Sequence, residues 1–183
     1  MKLQLFEYSL YQYKIDDWNF KKKGLLKRLK EEKFYRTELQ NFETDRKTSK
    51  KSYLHYFQDL IKPQLFEFCQ EAQVTCSMTD CWAVRYQKGD YQTVHNHRSW
   101  GFSGILYVDF NPKVHTPTVF VAPWQNPRSD TTILARPVVE EGTIVIVPSY
   151  TLHYSAPNQV RKQRTIISFD LLPKLPDHQS VNG

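Results

Sequence analysis

The stretch that decides the fold is residues 89–109, GDYQTVHNHRSWGFSGILYVD. At its centre, His95 and His97 are separated by one residue in a segment with the composition of a β-strand. Successive side chains of a strand point to opposite faces, so these two imidazoles project side by side. Neutral imidazole is a ligand for iron, copper, nickel and zinc. The pair indicates either a metal site or two histidines that only satisfy hydrogen bonds, and the pair alone does not decide between them.

Composition bounds the class of protein. The chain has 183 residues, of which 40% are hydrophobic and 14% aromatic, as in one folded globular domain. The net charge of +6 is divided equally between residues 1–80 and residues 81–183. Because the basic side chains are not concentrated in one region, a nucleic-acid ligand is not indicated.

Cysteine usage and hydropathy indicate the compartment. Cys69, Cys76 and Cys81 are odd in number and close together, unlike the disulfide framework of a small secreted protein. No apolar run at the N-terminus has signal-peptide length, and no run of about 18 apolar residues could span a bilayer. We therefore expect a cytoplasmic protein without a membrane segment.

The N-terminal region is predicted to be mainly helical. Residues 2–8 are compatible with an edge strand. A helix capped by Asp16 or Asp17 is expected to run to about residue 35. The polar residues 37–51 are expected to form a loop.

A second helix is expected to start near Ser49 or Ser52. Its apolar residues recur at helical spacing, which predicts a face packed against a sheet. Pro63 lies inside this segment and is expected to kink or split the helix. The apolar face is formed by Leu54, Phe57, Leu60, Ile61, Leu65 and Phe68.

After residue 73 the sequence changes to short β-rich segments separated by turn residues. Residues 143–147, TIVIV, are apolar on both faces, as in a sheet that is covered on both sides. Eight or so short strands after two helices predict a mainly β jelly roll with the helices packed on one outer face. Strands are predicted at residues 74–77, 81–87, 92–97, 104–110, 118–121, 131–134, 143–147, 153–155 and 164–171.

This organisation is that of a single domain. Residues 1–73 form an N-terminal helical support, residues 74–172 form the β core, and residues 173–183 form a tail.

Two further candidate residues lie downstream, in residues 141–171. His153 appears where the chain re-enters the sheet after Pro148 and a short turn. Distant strands of a jelly roll lie across the barrel from one another, so we expect His153 to meet His95 and His97 at one metal ion. Eleven residues later, Arg164 opens the last strand, and an inward arginine near a metal implies a bound acid.

The ordered set of these residues resembles the iron(II)- and 2-oxoglutarate-dependent oxygenase superfamily, and most of all a poorly characterised branch found in bacteria and viruses. The resemblance covers residues 81–171, about half of the chain. It is carried by Trp82-Ala-Val-Arg-Tyr86, Gly89-Asp-Tyr-Gln92, His95-x-His97, Ser103-Gly-Ile-Leu-Tyr107, Pro148-Ser149, His153 and Arg164-x-x-x-Ser168-Phe169.

The resemblance implies a cupin-like double-stranded β-helix and a set of residue roles. His95 and His153 are implied as iron ligands, and Arg164 is implied to bind the distal carboxylate of 2-oxoglutarate. Tyr86 and Tyr107, together with Ser168, match positions near the cosubstrate, although the two tyrosines can equally be read as aromatic core.

The residue His97 departs from the wider superfamily. That superfamily carries a carboxylate at this position, which gives a facial triad of two histidines and one carboxylate. A third imidazole leaves an iron site one unit more positive than a carboxylate does. His97 is predicted to be the third ligand, and a place beside the ligands or facing substrate stays open for it. Asp90 and Asp109 are nearby carboxylates, but neither has the spacing of a substitute.

The reaction that the resemblance implies consumes Fe(II)-bound 2-oxoglutarate and O₂, releases succinate and CO₂, and oxidises a C–H bond of an unidentified substrate. Hydroxylation is the expected outcome, and desaturation and halogenation stay open. Arg98, Trp100 and Trp124 are candidates for lining the mouth of the barrel. A small molecule or a peptide fits this expectation better than nucleic acid. The protein would be cytoplasmic, or in the host cytoplasm if it is viral, and a homo-oligomer is one option for its assembly.

Two other classes of protein stay open on the sequence alone. One is a three-histidine cupin dioxygenase that uses no 2-oxoglutarate, which would leave Arg164 without a role. The other is a cupin-like binding or structural protein without catalysis. His55, His115 and His178 lie outside the pattern and are interpreted as surface residues.

Overall fold

The computed structural model describes residues 8–36 and 41–174. This part of the chain contains two helices and ten strands. In chain order they are β1 Tyr11–Lys14, α1 Trp18–Leu29, β2 Glu43–Thr44, α2 Leu54–Glu71, β3 Cys76–Tyr86, β4 Gln92–His95, β5 Phe102–Asp109, β6 Val119–Asn126, β7 Thr131–Ala135, β8 Thr143–Pro148, β9 Leu152–Ser155 and β10 Arg164–Pro173.

The strands form two antiparallel sheets. The larger sheet has the order β1-β8-β5-β10-β3-β2, and the smaller sheet has the order β4-β9-β6-β7. Apart from the β6–β7 hairpin, which lies within the smaller sheet, strands β3 to β10 alternate between the two sheets in the manner of a double-stranded β-helix, so the predicted jelly roll is confirmed.

Strand β8 shows why the larger sheet is apolar on both faces. Val145 and Val147 point into the barrel, where they join the aromatic cluster around Tyr86. Ile144 and Ile146 point the other way, into the cluster formed with the two helices. The continuous apolar run in the sequence therefore reflects a strand covered on both sides.

The two helices pack on the outer face of the larger sheet. Phe57 of α2 is fully buried and contacts the ring of Phe169 on β10 at a centroid distance of 5.6 Å. Phe68 contacts Phe102 at 4.9 Å. Leu25 on α1 is buried in the same cluster. The predicted position of the helices is confirmed. Neither described helix is long and apolar enough to cross a membrane.

The N-terminal region also contributes strands to the larger sheet. Of the predicted edge strand, residues 2–7 lie outside the described residues and Tyr8 is not in a strand. The edge strand is instead Tyr11–Lys14, which pairs with β8. The short strand Glu43–Thr44, within the predicted loop, pairs with β3. A two-residue strand carries too little pattern to be predicted.

The helix ends differ from the predictions. Asp17 precedes α1 with φ of 51° and makes no capping hydrogen bond with its side chain, and the helix ends at Leu29. Helix α2 begins at Leu54 and continues past Pro63, so the proline does not split it. Gln64, the next residue, is anchored by a side-chain hydrogen bond to the carbonyl of Lys14.

Two further predictions are wrong in detail. The predicted strands 74–77 and 81–87 are one continuous strand, β3, along which residues 76–86 pair with β10. His115 is not a surface residue, since it is only 5% exposed. Its Nδ1 accepts a hydrogen bond from the amide of Asn111, and its Nε2 donates to the carbonyl of Lys162. His55 is exposed as predicted, and His178 lies outside the described residues.

Candidate active site

Strands β4 and β9 bring two histidines together at the mouth of the barrel. The strands pair antiparallel, and His95 lies directly opposite His153. On the other side of β9, Phe120 pairs with His153 and contacts its ring at 5.9 Å. His153 therefore meets His95 across one pair of neighbouring strands, and the prediction that these residues meet across the barrel is wrong.

His97 joins the pair just beyond the end of β4. Its backbone N–H donates to the carbonyl of Ser149 at 3.0 Å, which holds the chain against the turn before β9. The ring centroid of His97 lies 5.5 Å from that of His95 and 5.1 Å from that of His153. One ring nitrogen from each of the three histidines lies within 4.8 Å of the other two, so their spacing is that of a metal-binding cluster.

Hydrogen bonds fix which ring nitrogen of each histidine is free. Nδ1 of His95 lies 2.8 Å from the carbonyl oxygen of Thr93, and Nδ1 of His153 lies 2.9 Å from that of Thr151. Nδ1 of His97 lies 2.8 Å from Oδ1 of Asp170. Because these oxygens only accept, each Nδ1 carries the proton and each Nε2 keeps a lone pair. The three rings therefore offer three Nε2 donors.

Burial keeps two of these imidazoles neutral. Desolvation lowers the pKa of His153 to about 3, with a further contribution from the neighbouring His95. Desolvation also lowers the pKa of His95. Since a metal ligand must be unprotonated, both histidines are in the binding form at neutral pH.

Gln92 connects the histidine cluster to the barrel interior. Its side-chain nitrogen lies 3.1 Å from Nε2 of His95, and its side-chain oxygen accepts a hydrogen bond from the hydroxyl of Tyr86 at 3.1 Å. No role was predicted for Gln92 from the sequence. Its position three residues before His95, at the start of the same strand, was the available signal.

Arg164 lies inside the barrel and is 2% exposed. Nη1 donates to the carbonyl of Thr116 at 2.6 Å, and the guanidinium carbon lies 4.0 Å from the centre of the Tyr86 ring. Within the described residues, its Nε and Nη2 have no hydrogen-bond partner. A buried guanidinium with two free donors is costly unless an acceptor binds there, so this arrangement fits an anionic ligand.

The predicted tyrosines and serine lie on the walls around Arg164. Tyr86 is directly opposite Arg164 in the β3–β10 pairing, and Tyr107 accepts a hydrogen bond from the amide of Thr118. Both tyrosines are fully buried, and this burial raises the pKa of each hydroxyl, partly opposed by the charge of Arg164. Ser168 is buried on the inward face of β10. The phenols of Tyr86 and Tyr107 are therefore neutral at physiological pH.

A carboxylate that the sequence analysis missed lies behind His97. Asp170 is 1% exposed and follows Ser168 by two residues on the inward face of β10. Burial alone would raise its pKa, but hydrogen bonds from His97 and Ser103 and the nearby charges hold the pKa below its usual value. The two candidates named from the sequence lie elsewhere: Asp90 pairs with Arg36 and Asp109 with Lys22.

Next to His97, the rim of the site carries Arg98 and the stacked pair of Arg46 and Trp82. Arg98 lies 3.6 Å from Asp170 and is partly exposed, and Trp100 and Trp124 are each 47% exposed. Trp124 lies farther along β6, where its ring contacts Tyr8 at 5.7 Å. The guanidinium of Arg46 stacks on Trp82, whose ring in turn contacts His97 at 5.3 Å.

Three imidazole nitrogens close to one another in a jelly roll, with an unsatisfied guanidinium inside the same barrel, define a class of protein. The nitrogens suit a divalent transition metal, and the arginine suits the carboxylate of an organic acid. This combination is that of a non-haem metal enzyme with an acidic cosubstrate.

Comparison with known families identifies that class more closely. The family described as "Putative 2OG-Fe(II) oxygenase" matches residues 80–170, about half of the chain, including the three histidines and Arg164. This chain belongs to the iron(II)- and 2-oxoglutarate-dependent oxygenases, whose cosubstrates are 2-oxoglutarate and O₂. No curated protein sequence matches the chain.

Solved structures with the same fold include three proteins of low sequence identity. HygX from Streptomyces hygroscopicus, with nickel and 2-oxoglutarate bound, aligns with a TM-score of 0.67 at 10% identity over 92% of this chain and 84% of its own. The epimerase SnoN from nogalamycin biosynthesis gives 0.70 at 10% identity over 90% and 76%. The viral collagen prolyl hydroxylase of Paramecium Bursaria Chlorella virus-1 gives 0.57 at 16% identity over 91% and 97%. At these identities the similarity establishes the fold alone.

The family decides between the interpretations that the sequence left open. The predicted oxygenase family is confirmed, and the chain is an Fe(II)- and 2-oxoglutarate-dependent enzyme. The two alternatives, a cupin dioxygenase without 2-oxoglutarate and a cupin-like protein without catalysis, are set aside.

Proposed function

We propose that this oxygenase hydroxylates a C–H bond of a small molecule or peptide. One 2-oxoglutarate and one O₂ are consumed, one oxygen atom enters the substrate as a hydroxyl group, and the other enters succinate as CO₂ is released. The observation that carries this proposal is the placement of three imidazole nitrogens within 4.8 Å of one another and a buried guanidinium with two free donors in one barrel.

His95, His97 and His153 would hold the iron through Nε2, since each Nδ1 already donates to an oxygen. The iron supplies the redox chemistry that activates O₂. The chain fixes the ring orientations in advance, because each imidazole is tied to a neighbouring oxygen.

Arg164 would bind the distal carboxylate of 2-oxoglutarate. Its two free N–H groups match the planar, two-oxygen shape of a carboxylate, and the contact with Tyr86 holds the guanidinium in place. Tyr86 belongs to a buried cluster that also contains Ile166 and Val145, so the guanidinium lies in a largely apolar setting. In such a setting, charge-assisted hydrogen bonds are stronger than they are in water.

The side chains at the rim favour a substrate with an anionic or planar group. The guanidinium of Arg46 covers the ring of Trp82, which contacts His97. Arg98 and Trp100 closely follow His97 in the sequence, and both side chains are exposed. Guanidinium and indole groups bind carboxylates and flat rings by hydrogen bonding and stacking.

Formation of succinate tests the enzymatic step. Protein supplied with Fe(II), O₂ and 2-oxoglutarate is expected to form succinate slowly without substrate, and His153→Ala is expected to form none. His55→Ala, which changes an exposed histidine of α2, is the matched control and is expected to retain the wild-type rate. Absence of succinate from metal-loaded wild-type protein would contradict the proposal.

Isotope incorporation tests hydroxylation. Pools of acidic metabolites and peptides are incubated with the enzyme under ¹⁸O₂, and products are detected by mass spectrometry. A hydroxylated product gains one heavy oxygen atom, whereas a product of desaturation gains none. A product that has lost two hydrogens and gained no oxygen would refute hydroxylation and leave the family assignment intact.

A further inference from the structure

The carboxylate of Asp170 lies directly behind one of the three histidines. Oδ1 of Asp170 accepts a hydrogen bond from Nδ1 of His97 at 2.8 Å, and both side chains are more than nine-tenths buried. The corresponding nitrogens of His95 and His153 face neutral backbone carbonyls of Thr93 and Thr151. His97 is thus the member of the cluster whose hydrogen-bond partner carries a full negative charge.

Asp170 is held in this position from several sides. The hydroxyl of Ser103, which is its register partner on β5, donates to Oδ1 at 2.9 Å, and that hydroxyl is also within 2.9 Å of the hydroxyl of Ser149. Arg98 approaches Oδ2 at 3.6 Å. The carboxylate therefore has a fixed orientation toward His97, as expected of a group that positions another side chain.

We propose that Asp170 supplies, through His97, the negative charge that other members of the superfamily place directly on the iron. The proposal rests on the proposed function, in which the three histidines hold Fe(II). Two neutral histidines and one carboxylate leave an Fe(II) site with a net charge of +1, whereas three neutral histidines leave +2. Counting Asp170 with the three histidines, and leaving out the solvent-exposed guanidinium of Arg98 near its other oxygen, brings the charge of the assembly back to +1.

The hydrogen bond transmits this charge in two ways. It fixes the tautomer of His97 so that Nε2 faces the cluster, and it draws the Nδ1 proton toward the carboxylate, which makes Nε2 a stronger electron donor. A more strongly donating ligand favours the higher oxidation state of a bound metal. Asp170 is in this account a positioning residue, because it acts on the metal only through His97.

The variant Asp170→Asn separates charge from hydrogen bonding, because the amide oxygen can still accept from His97. Titration calorimetry with Mn²⁺ is expected to show affinity about 10- to 100-fold weaker than in the wild type, the loss typical of removing such a partner. The reduction potential of the bound iron is expected to become more positive. Asp90→Asn is the matched control, since Asp90 is a buried carboxylate that pairs with Arg36, and it is expected to bind Mn²⁺ like the wild type.

A second pair of variants tests the path through His97. In His97→Asp the metal receives a carboxylate directly, so adding Asp170→Asn to that variant is expected to change Mn²⁺ affinity by less than about threefold. The proposal would be overturned if Asp170→Asn reduced Mn²⁺ affinity equally in the wild type and in His97→Asp. It would also be overturned if Asp170→Asn bound Mn²⁺ like the wild type or failed to fold. If the wild-type protein bound no Mn²⁺, the proposed function would fail as well.

Discussion

Replacing Arg164 by methionine removes the guanidinium and keeps a long side chain inside the barrel. The variant loses the hydrogen bond to the carbonyl of Thr116 and the contact with Tyr86. It also loses the two donors that have no partner within the described structure. If these donors bind the distal carboxylate of 2-oxoglutarate, the variant should lose affinity for that molecule in particular.

The size of the loss follows from the number of hydrogen bonds. A hydrogen bond to a charged group contributes about 1.5 to 3 kcal/mol, so two of them with the same carboxylate contribute about 3 to 4 kcal/mol, given that paired contributions are not fully additive. Each 1.4 kcal/mol is a factor of about ten, so Arg164→Met is expected to bind 2-oxoglutarate about 10² to 10³-fold more weakly.

The assay is titration calorimetry on Mn²⁺-loaded protein without iron, so that no turnover occurs. Pyruvate serves as the second ligand, because it has the same 2-oxo acid group but lacks the distal carboxylate. Arg164→Met is expected to weaken 2-oxoglutarate binding strongly and pyruvate binding by less than about threefold. The affinity for Mn²⁺ is expected to stay unchanged, since the histidines are intact.

The matched control is Arg85→Met. Arg85 lies on β3, stacks on Phe34 at 3.5 Å and donates to the carbonyl of Leu29 at 2.9 Å, so it is an arginine in a comparable aromatic setting away from the cluster. This variant should bind both ligands like the wild type. The reasoning is refuted if folded, metal-loaded Arg164→Met binds 2-oxoglutarate with an affinity within a few-fold of the wild type. It is also refuted if the variant loses affinity for pyruvate and for 2-oxoglutarate equally.

Two further predictions concern stability. Gly104→Ala should lower the free energy of unfolding by about 1 to 3 kcal/mol in denaturant titrations, because its Cβ would overlap the ring of Phe169; an unchanged midpoint would contradict this packing. Burial lowers the pKa of His115 in the folded state, so the unfolded chain binds the proton more tightly. As the pH falls below 6.5, the free energy of unfolding of the wild type should therefore decrease by up to about 1.4 kcal/mol per pH unit relative to that of His115→Gln. Parallel pH profiles of the two proteins would contradict this prediction.

Short β-rich segments separated by turn residues were enough to predict most strands of the jelly roll. In β10, Ile167 and Phe169 face the helices while Ile166 and Ser168 face the barrel, which is the two-residue period of a strand. The position of Arg164 on this apolar strand predicted its burial, and the side chain is 2% exposed. Local patterns suffice in these cases because each residue is specified by the face on which it lies.

The partner of His97 could not be predicted in this way. Asp170 is 73 residues away in sequence, and the contact depends on β10 pairing with β5, where Asp170 lies opposite Ser103. The spacing of nearby carboxylates directed attention to Asp90 and Asp109, which form ion pairs with Arg36 and Lys22. Register between distant strands is set by the whole sheet, so a single segment does not reveal it.

The two faces of β10 connect the stability of the fold to the geometry of the site. Phe169 is fully buried against Phe57 of α2, and its neighbours Ser168 and Asp170 point into the barrel. Because these residues are consecutive in one strand, the packing of Phe169 against the helix fixes the position of Asp170 relative to His97. The helices therefore contribute to the site without touching it, since a shift of β10 along β5 would move Arg164 and Asp170 together relative to the histidines.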